Sequence, residues 1–220
     1  MTIVDMREVI QHIVDDVKRR FDGESTGHDW WHIYRVWQMA KRIGAEEHAD
    51  SFVVELAALL HDIADWKFHD GDETAGSREA RKILAGYGVD EAAINHVCDI
   101  IDNVSFKGAG VPANQKTIEG KVVQDSDRLD AIGAIGIARA FAYGGKKERS
   151  LHDPAHAPAE HSTKEAYFNN RSTTLNHFYE KLLLLKDRMN TETGKKIAGG
   201  RHSFMERYLE QFYAEWGGDV

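Results

Sequence analysis

The chain has 220 residues, 42% of them hydrophobic and 29% charged, enough for one sizeable core in one domain or at most two small ones. A formal charge of −8 argues against non-specific binding to long nucleic acid, although a metal and a few local cations still admit a small anion. No apolar run is long enough to cross a bilayer, and the single Cys98 excludes an internal disulfide and a Cys-rich zinc site.

The first stretch, MTIVDMREVIQHIVDDVKRRF, places Ile3, Met6, Ile10, Ile13, Val14, Val17 and Phe21 at helical spacing. It carries acids and lacks the apolar centre of a signal peptide, so a reducing, cytoplasmic setting is expected. Its apolar face leaves a homodimer open. Trp30, Ile33, Trp37, Ala40 and Ile43 mark a second helix. Residues 51–62 read as a buried third helix, because the run is long for a strand and rich in Glu, Leu and Ala. A polar loop follows. A helix over 75–87 ends at Gly88, and Asp90 caps the next. Residues 117–143 are helical with a bend or break near DSDRLD. GGKKERSLHDPAHAPAEHS, with two of the three prolines, reads as a mobile loop or lid. Helices over 163–190 and 193–216 complete an all-α chain with no repeat.

Imidazole and carboxylate are the ligands of divalent metals outside thiol sites. His32, His61, Asp62 and Asp127 stand at the ends of strongly apolar helical stretches, where an unpartnered charge is costly. His61 and Asp62 are neighbours, so both reach one ion only where the helix ends and the backbone turns. Taken alone, the pair is equally a helix C-terminus with a turn carboxylate. With His32 and Asp127 in similar settings, the four are candidate ligands of one ion.

His32 with Arg35-Val36, then His61-Asp62, then Asp127 in DSDRLD, resembles the pattern of the HD-domain metal-dependent phosphohydrolases. The segments HDWWHIYRV, LLHDIADWKF, DSDRLDAIGAIGIARAF and HFYEKLLLLKDRMNT resemble in particular the YpgQ/YedJ-type bacterial branch, from about residue 28 to the end. The resemblance implies an HD-domain helical bundle with a metal site between central helices. It implies one domain over 1–220, with an HD core at about 28–130 and helices at about 163–217 packing on it. It also implies one divalent ion, manganese first, with Mg, Fe, Co, Ni or Zn as alternatives. The implied reaction is hydrolysis of nucleoside triphosphates. Asp65 stands where many relatives carry Glu, one turn or less beyond Asp62, and is either the candidate acid/base group or an ordinary turn carboxylate.

Lys67, in the same loop, is a candidate phosphate contact or a solvated lysine. Arg128 either clamps phosphate or pairs with Asp130. His177 and Lys181 share a helical face, and the resemblance favours substrate contact for both; Arg201 has the same reading. His28 is a candidate for the substrate side. His28-Asp29-Trp30-Trp31-His32 mimics a zinc-protease helix, but Asp is one methylene short for the base. Gly144-Gly145-Lys146-Lys147 lacks phosphate-loop spacing. His152, His156 and His161 could gather a stray metal, although a Pro-rich loop explains them better. Gly133 and Gly136 permit close packing.

Two function classes follow: a nucleotide phosphohydrolase, yielding monophosphate and pyrophosphate or acting as a 5′-monophosphatase or phosphodiesterase, and a nucleotide-sensing module without turnover. A two-iron oxygenase would need a second ligand set, which the sequence does not supply.

Overall fold

The computed structural model describes residues 5–23, 29–64, 72, 74–104, 115–159 and 172–220. Among these the chain is helical, with no strand. Local chemistry explains where the helices begin. Asp5 accepts from the Arg7 amide ahead of α1 (Met6–Arg20). Asp29 accepts from His32 N at 2.8 Å ahead of α2 (Trp30–Glu46). Asp50 accepts from Phe52 N and Val53 N ahead of α3 (Ser51–Leu60). Each cap satisfies amides that a helix start otherwise leaves orphaned. α4 (Ala75–Gly86) runs into Gly88, which takes φ +70° as expected of a helix-ending glycine. Asp90 then caps α5 (Glu91–Val104) through Ala93 N.

α6 (Ile118–Asp130) and α7 (Gly133–Lys146) are separated at Ala131-Ile132, just after DSDRLD. Gly133 permits that corner with φ +76°, and a Cβ there would sit 3.0 Å from Arg201 Cγ. α8 (Glu192–Gly217) starts on a Thr191 cap and ends at Gly218, φ +77°. None of the helices is long and apolar enough to cross a membrane among the described residues.

The chain divides into two compact units, Met1–Phe106 with Ala113–Ser126, and Lys107–Pro112 with Asp127–Val220. The division falls within the unbroken helix α6. In the first unit, α3 packs against α1, α2 and α5, and α4 packs against α5. α3 is apolar but for Ser51 and Glu55, with Val53, Val54 and Leu56 to Leu60 buried, so it forms the centre. Each such leucine contributes roughly 1.5–3 kcal/mol. Gln124 Nε2 reaches the last α5 carbonyls, Asn103 O at 3.0 Å and Val104 O at 3.2 Å, which ties α6 to α5. In the second unit α7 packs on α8, and Phe178 fills the core against Phe141 and Tyr208.

Two expectations need correction. The helix expected over 163–190 is not a continuous α-helix in its described part. Phe178–Leu182 is a π segment and Leu183–Arg188 a 3-10 segment. A run of four leucines cannot all face inward on an α-helix. The 3-10 turn aligns residues three apart, so Leu182 and Leu185 are buried while Leu184 stays exposed. The stretch expected to be a mobile lid is tied down over its described part. Residues 144–146 belong to α7. Thr174 N and Leu175 N donate to Ser150 O and Leu151 O, Asn176 Nδ2 donates to His156 O, and Ala159 N donates to Glu180. Residues 160–162 lie outside the described residues.

A glycine pair tests this packing. A Cβ on Gly136 would lie 2.2 Å from the Ala131 carbonyl oxygen, whereas Gly199 has nothing within 4 Å. Gly136→Ala is expected to cost about 2 kcal/mol by overpacking. Gly199→Ala is expected to add about 1 kcal/mol by helix propensity. Thermal melts of both variants check the opposite signs.

Candidate metal centre

The site is built from helix ends. The Asp29 cap fixes the first turn of α2, and His32 is the third residue of that helix, 1% exposed. Asp29 is the extended cap before α2 and does not share a helix with His32, as the protease-like reading of this segment requires. α3 stops at Leu60, and Ile63 N closes a turn onto Leu60 O. His61 and Asp62 therefore lie where the backbone leaves the helix.

His61 Nδ1 stands 2.8 Å from Ala58 O. A carbonyl only accepts, so Nδ1 carries the proton and the Nε2 lone pair is left to bind. That Nε2 lies 3.3 Å from His32 Nε2 and 3.6 Å from Asp62 Oδ2, and His32 Nε2 lies 3.4 Å from the same oxygen. Asp127, in the last turn of α6, joins the two histidines in a trio whose ligand atoms all fall within 4.8 Å of one another. It is the one such trio among the described residues.

Donors bound at about 2.1 Å from one ion stand about 3 Å apart when adjacent, so the separation of the two Nε2 atoms suits a shared dication. The donor chemistry fits too. Two imidazoles and carboxylates make a mixed nitrogen and oxygen set, and the carboxylates supply the negative charge that a buried dication requires. The His61–Ala58 bond is the kind of outer contact that orients an imidazole for a metal.

The remaining candidates fall into two groups. His28, Asp65 and Lys67 lie outside the described residues, as does His161. Arg128, His177, Lys181 and Arg201 lie in the second unit. Arg128 is buried and its Nη1 donates to Arg188 O; Arg201 Nη1 donates to Leu129 O. Asp130 pairs with Arg139, at 2.6 Å. His177 and Lys181 are half-buried, and burial, with the charges of Lys181 and Arg149, lowers the His177 pKa to about 3. Sequence reasoning passed over Arg149 and Arg139. Arg149 sat in a stretch read as a loop, and Arg139 looked like an ordinary helical charge. His152 seats edge-on against Trp216, 4.9 Å between centroids, and His156 pairs with Asp153. Their roles in the structure are packing and pairing.

Two measurements follow from this geometry. His61→Ala is expected to lose bound Mn²⁺ at micromolar concentrations, read by metal analysis after desalting; full retention contradicts the assignment. His177 is held neutral in the folded chain, down to about 3 against 6.5 when unfolded. The unfolded chain therefore binds the extra proton first. The stability this group contributes is complete above about pH 6.5 and is lost as pH falls toward 3. The ring is expected to stay neutral at pH 5 by NMR, and His177→Gln should flatten the acid limb of the melting profile. A ring titrating near 6.5 contradicts this placement.

The HD domain family model matches residues 30–132. The YpgQ protein of Bacillus subtilis (strain 168) is 41% identical over 207 residues, covering 94% of this chain and 89% of that protein. The crystal structure of an HD-superfamily hydrolase from Bacillus thuringiensis is 44% identical with TM-score 0.77, covering 97% of this chain and 99% of that one. The crystal structure of B. subtilis YpgQ in complex with ADP aligns with TM-score 0.77 at 37% identity, covering 96% of each chain. An all-helical chain with a buried histidine pair and a carboxylate gathered at helix ends, matched along nearly its whole length, belongs to the HD-domain family of hydrolases.

Proposed function

We propose that the chain is a divalent-metal-dependent phosphohydrolase that cuts nucleoside triphosphates into monophosphate and pyrophosphate, with manganese as its ion. The observation that carries the reading is the convergence of His32, His61 and Asp127 in one compact trio, with Asp62 beside the imidazoles. YpgQ, similar along nearly the whole chain, has been crystallised with ADP, which supports a nucleotide as the ligand class.

His32, His61, Asp62 and Asp127 would hold the ion. When bound, it supplies charge neutralisation at phosphorus and makes water more acidic. Asp65 then accepts the proton of the attacking water. The new bond joins that oxygen to the α-phosphorus, and the bond from the α-phosphorus to the bridging oxygen breaks. Pyrophosphate leaves with the electron pair. It is a better leaving group than a sugar alkoxide, so a short acid need not protonate it strongly. Lys67, Arg128, Lys181 and Arg201 supply positive charge for the phosphates, and His28 contacts the substrate. His177, kept neutral, offers one ring donor and one acceptor rather than a further positive charge. One helical domain and a cytoplasmic setting complete the proposal, and the apolar face of the first helix leaves a homodimer open.

The test is incubation of the chain with Mn²⁺ and a nucleoside triphosphate, with pyrophosphate measured directly and no pyrophosphatase added. Stoichiometric monophosphate and pyrophosphate are expected. Orthophosphate alone points to a phosphatase on the same site, and binding without turnover points to a nucleotide sensor.

A further inference from the structure

Asp127 stands in an unfavourable place. It lies in the last turn of α6, near buried Asp125 and Asp130, at the negative end of the helix dipole. That end is held by arginines from three directions. Arg139 of α7 places Nη1 2.6 Å from Asp130 Oδ2 and 3.4 Å from Asp130 O. Arg201 of α8 donates to Leu129 O. Arg128 itself donates to Arg188 O, at the end of the 3-10 segment. Ala131 N and Ile132 N donate to the carbonyls of Arg128 and Leu129. The three residues after Asp127 are thus each fixed by a hydrogen bond to a different element of the second unit.

A side chain one residue away inherits that rigidity. The Asp130 carboxylate is 5% exposed, so its pair with Arg139 works with little water to screen it. We propose that this arginine collar, with the Arg139–Asp130 pair as its main member, positions Asp127 as a metal ligand and so sets metal affinity. The inference rests on the metal reading above, and toward the ion these arginines act only through Asp127, as positioning residues.

Positioning and charge predict opposite signs. Removing a cation beside a cation site strengthens metal binding if charge alone matters. Removing an anchor weakens it, typically 10–100-fold for an outer contact of a ligand. The experiment measures Mn²⁺ alone, by the EPR signal of the free ion, in wild type, Arg139→Gln, Arg201→Gln and Arg139→Lys. Metal-free melts establish that each variant is folded. Arg139→Gln is expected to weaken binding tenfold or more, Arg201→Gln in the same direction, and Arg139→Lys is expected to recover most of the affinity. Equal or tighter binding by folded Arg139→Gln overturns the collar. Should that variant not fold, the sign for Arg201→Gln decides. No binding by wild type brings down the metal reading and the collar with it. Binding by wild type with unchanged variants brings down the collar alone.

Discussion

The hydrogen bond from His61 Nδ1 to Ala58 O is the contact on which the site depends. It spans one turn at the end of α3, the most buried helix of the first unit. It chooses the tautomer, and thereby directs the Nε2 lone pair toward His32 instead of toward a proton. Without it the ring could turn or carry its proton on Nε2, which would then donate to His32 Nε2, 3.3 Å away, and close both nitrogens to an ion. The apolar helix is thus what makes the polar centre affordable. α3 cannot shift without emptying the core, so the imidazole at its end cannot shift either. The Asp29 cap does the same for His32 from α2.

The fold class and the gathering of His32, His61 and Asp127 were legible in the sequence for a physical reason. A histidine or aspartate at the end of an apolar helical stretch lies near both core and solvent, and periodicity shows where such stretches end. Asp5, Asp29, Asp50 and Asp90 also mark the starts of their helices in a way that can be read locally. The π and 3-10 segments at 178–188 were not legible. A leucine run carries no phase, so pattern reading extended an α-helix through it. The tethering of residues 147–159 was hidden as well, because backbone donors from Thr174 and Leu175 leave no compositional trace.

Arginines show the same limit at the level of single side chains. The sequence offers Arg128 as a phosphate clamp or a partner of Asp130, and the resemblance offers Arg201 as a substrate contact. In the structure each also holds a backbone carbonyl, of Arg188 and Leu129. Arg139 was invisible because its value comes from Asp130, which packs into the interior only once α7 folds back after Gly133. The sequence announces groups that carry chemistry more readily than groups that hold those groups still.

The central claim is that His32, His61 and Asp127 share one ion. X-ray absorption at the metal edge of the loaded protein tests it most directly, because imidazole rings scatter in a pattern that water and carboxylates do not produce. The account predicts two imidazole nitrogens with the remaining donors oxygen, and loss of one imidazole in His32→Ala. A first shell of oxygen alone, unchanged by that substitution, would contradict it.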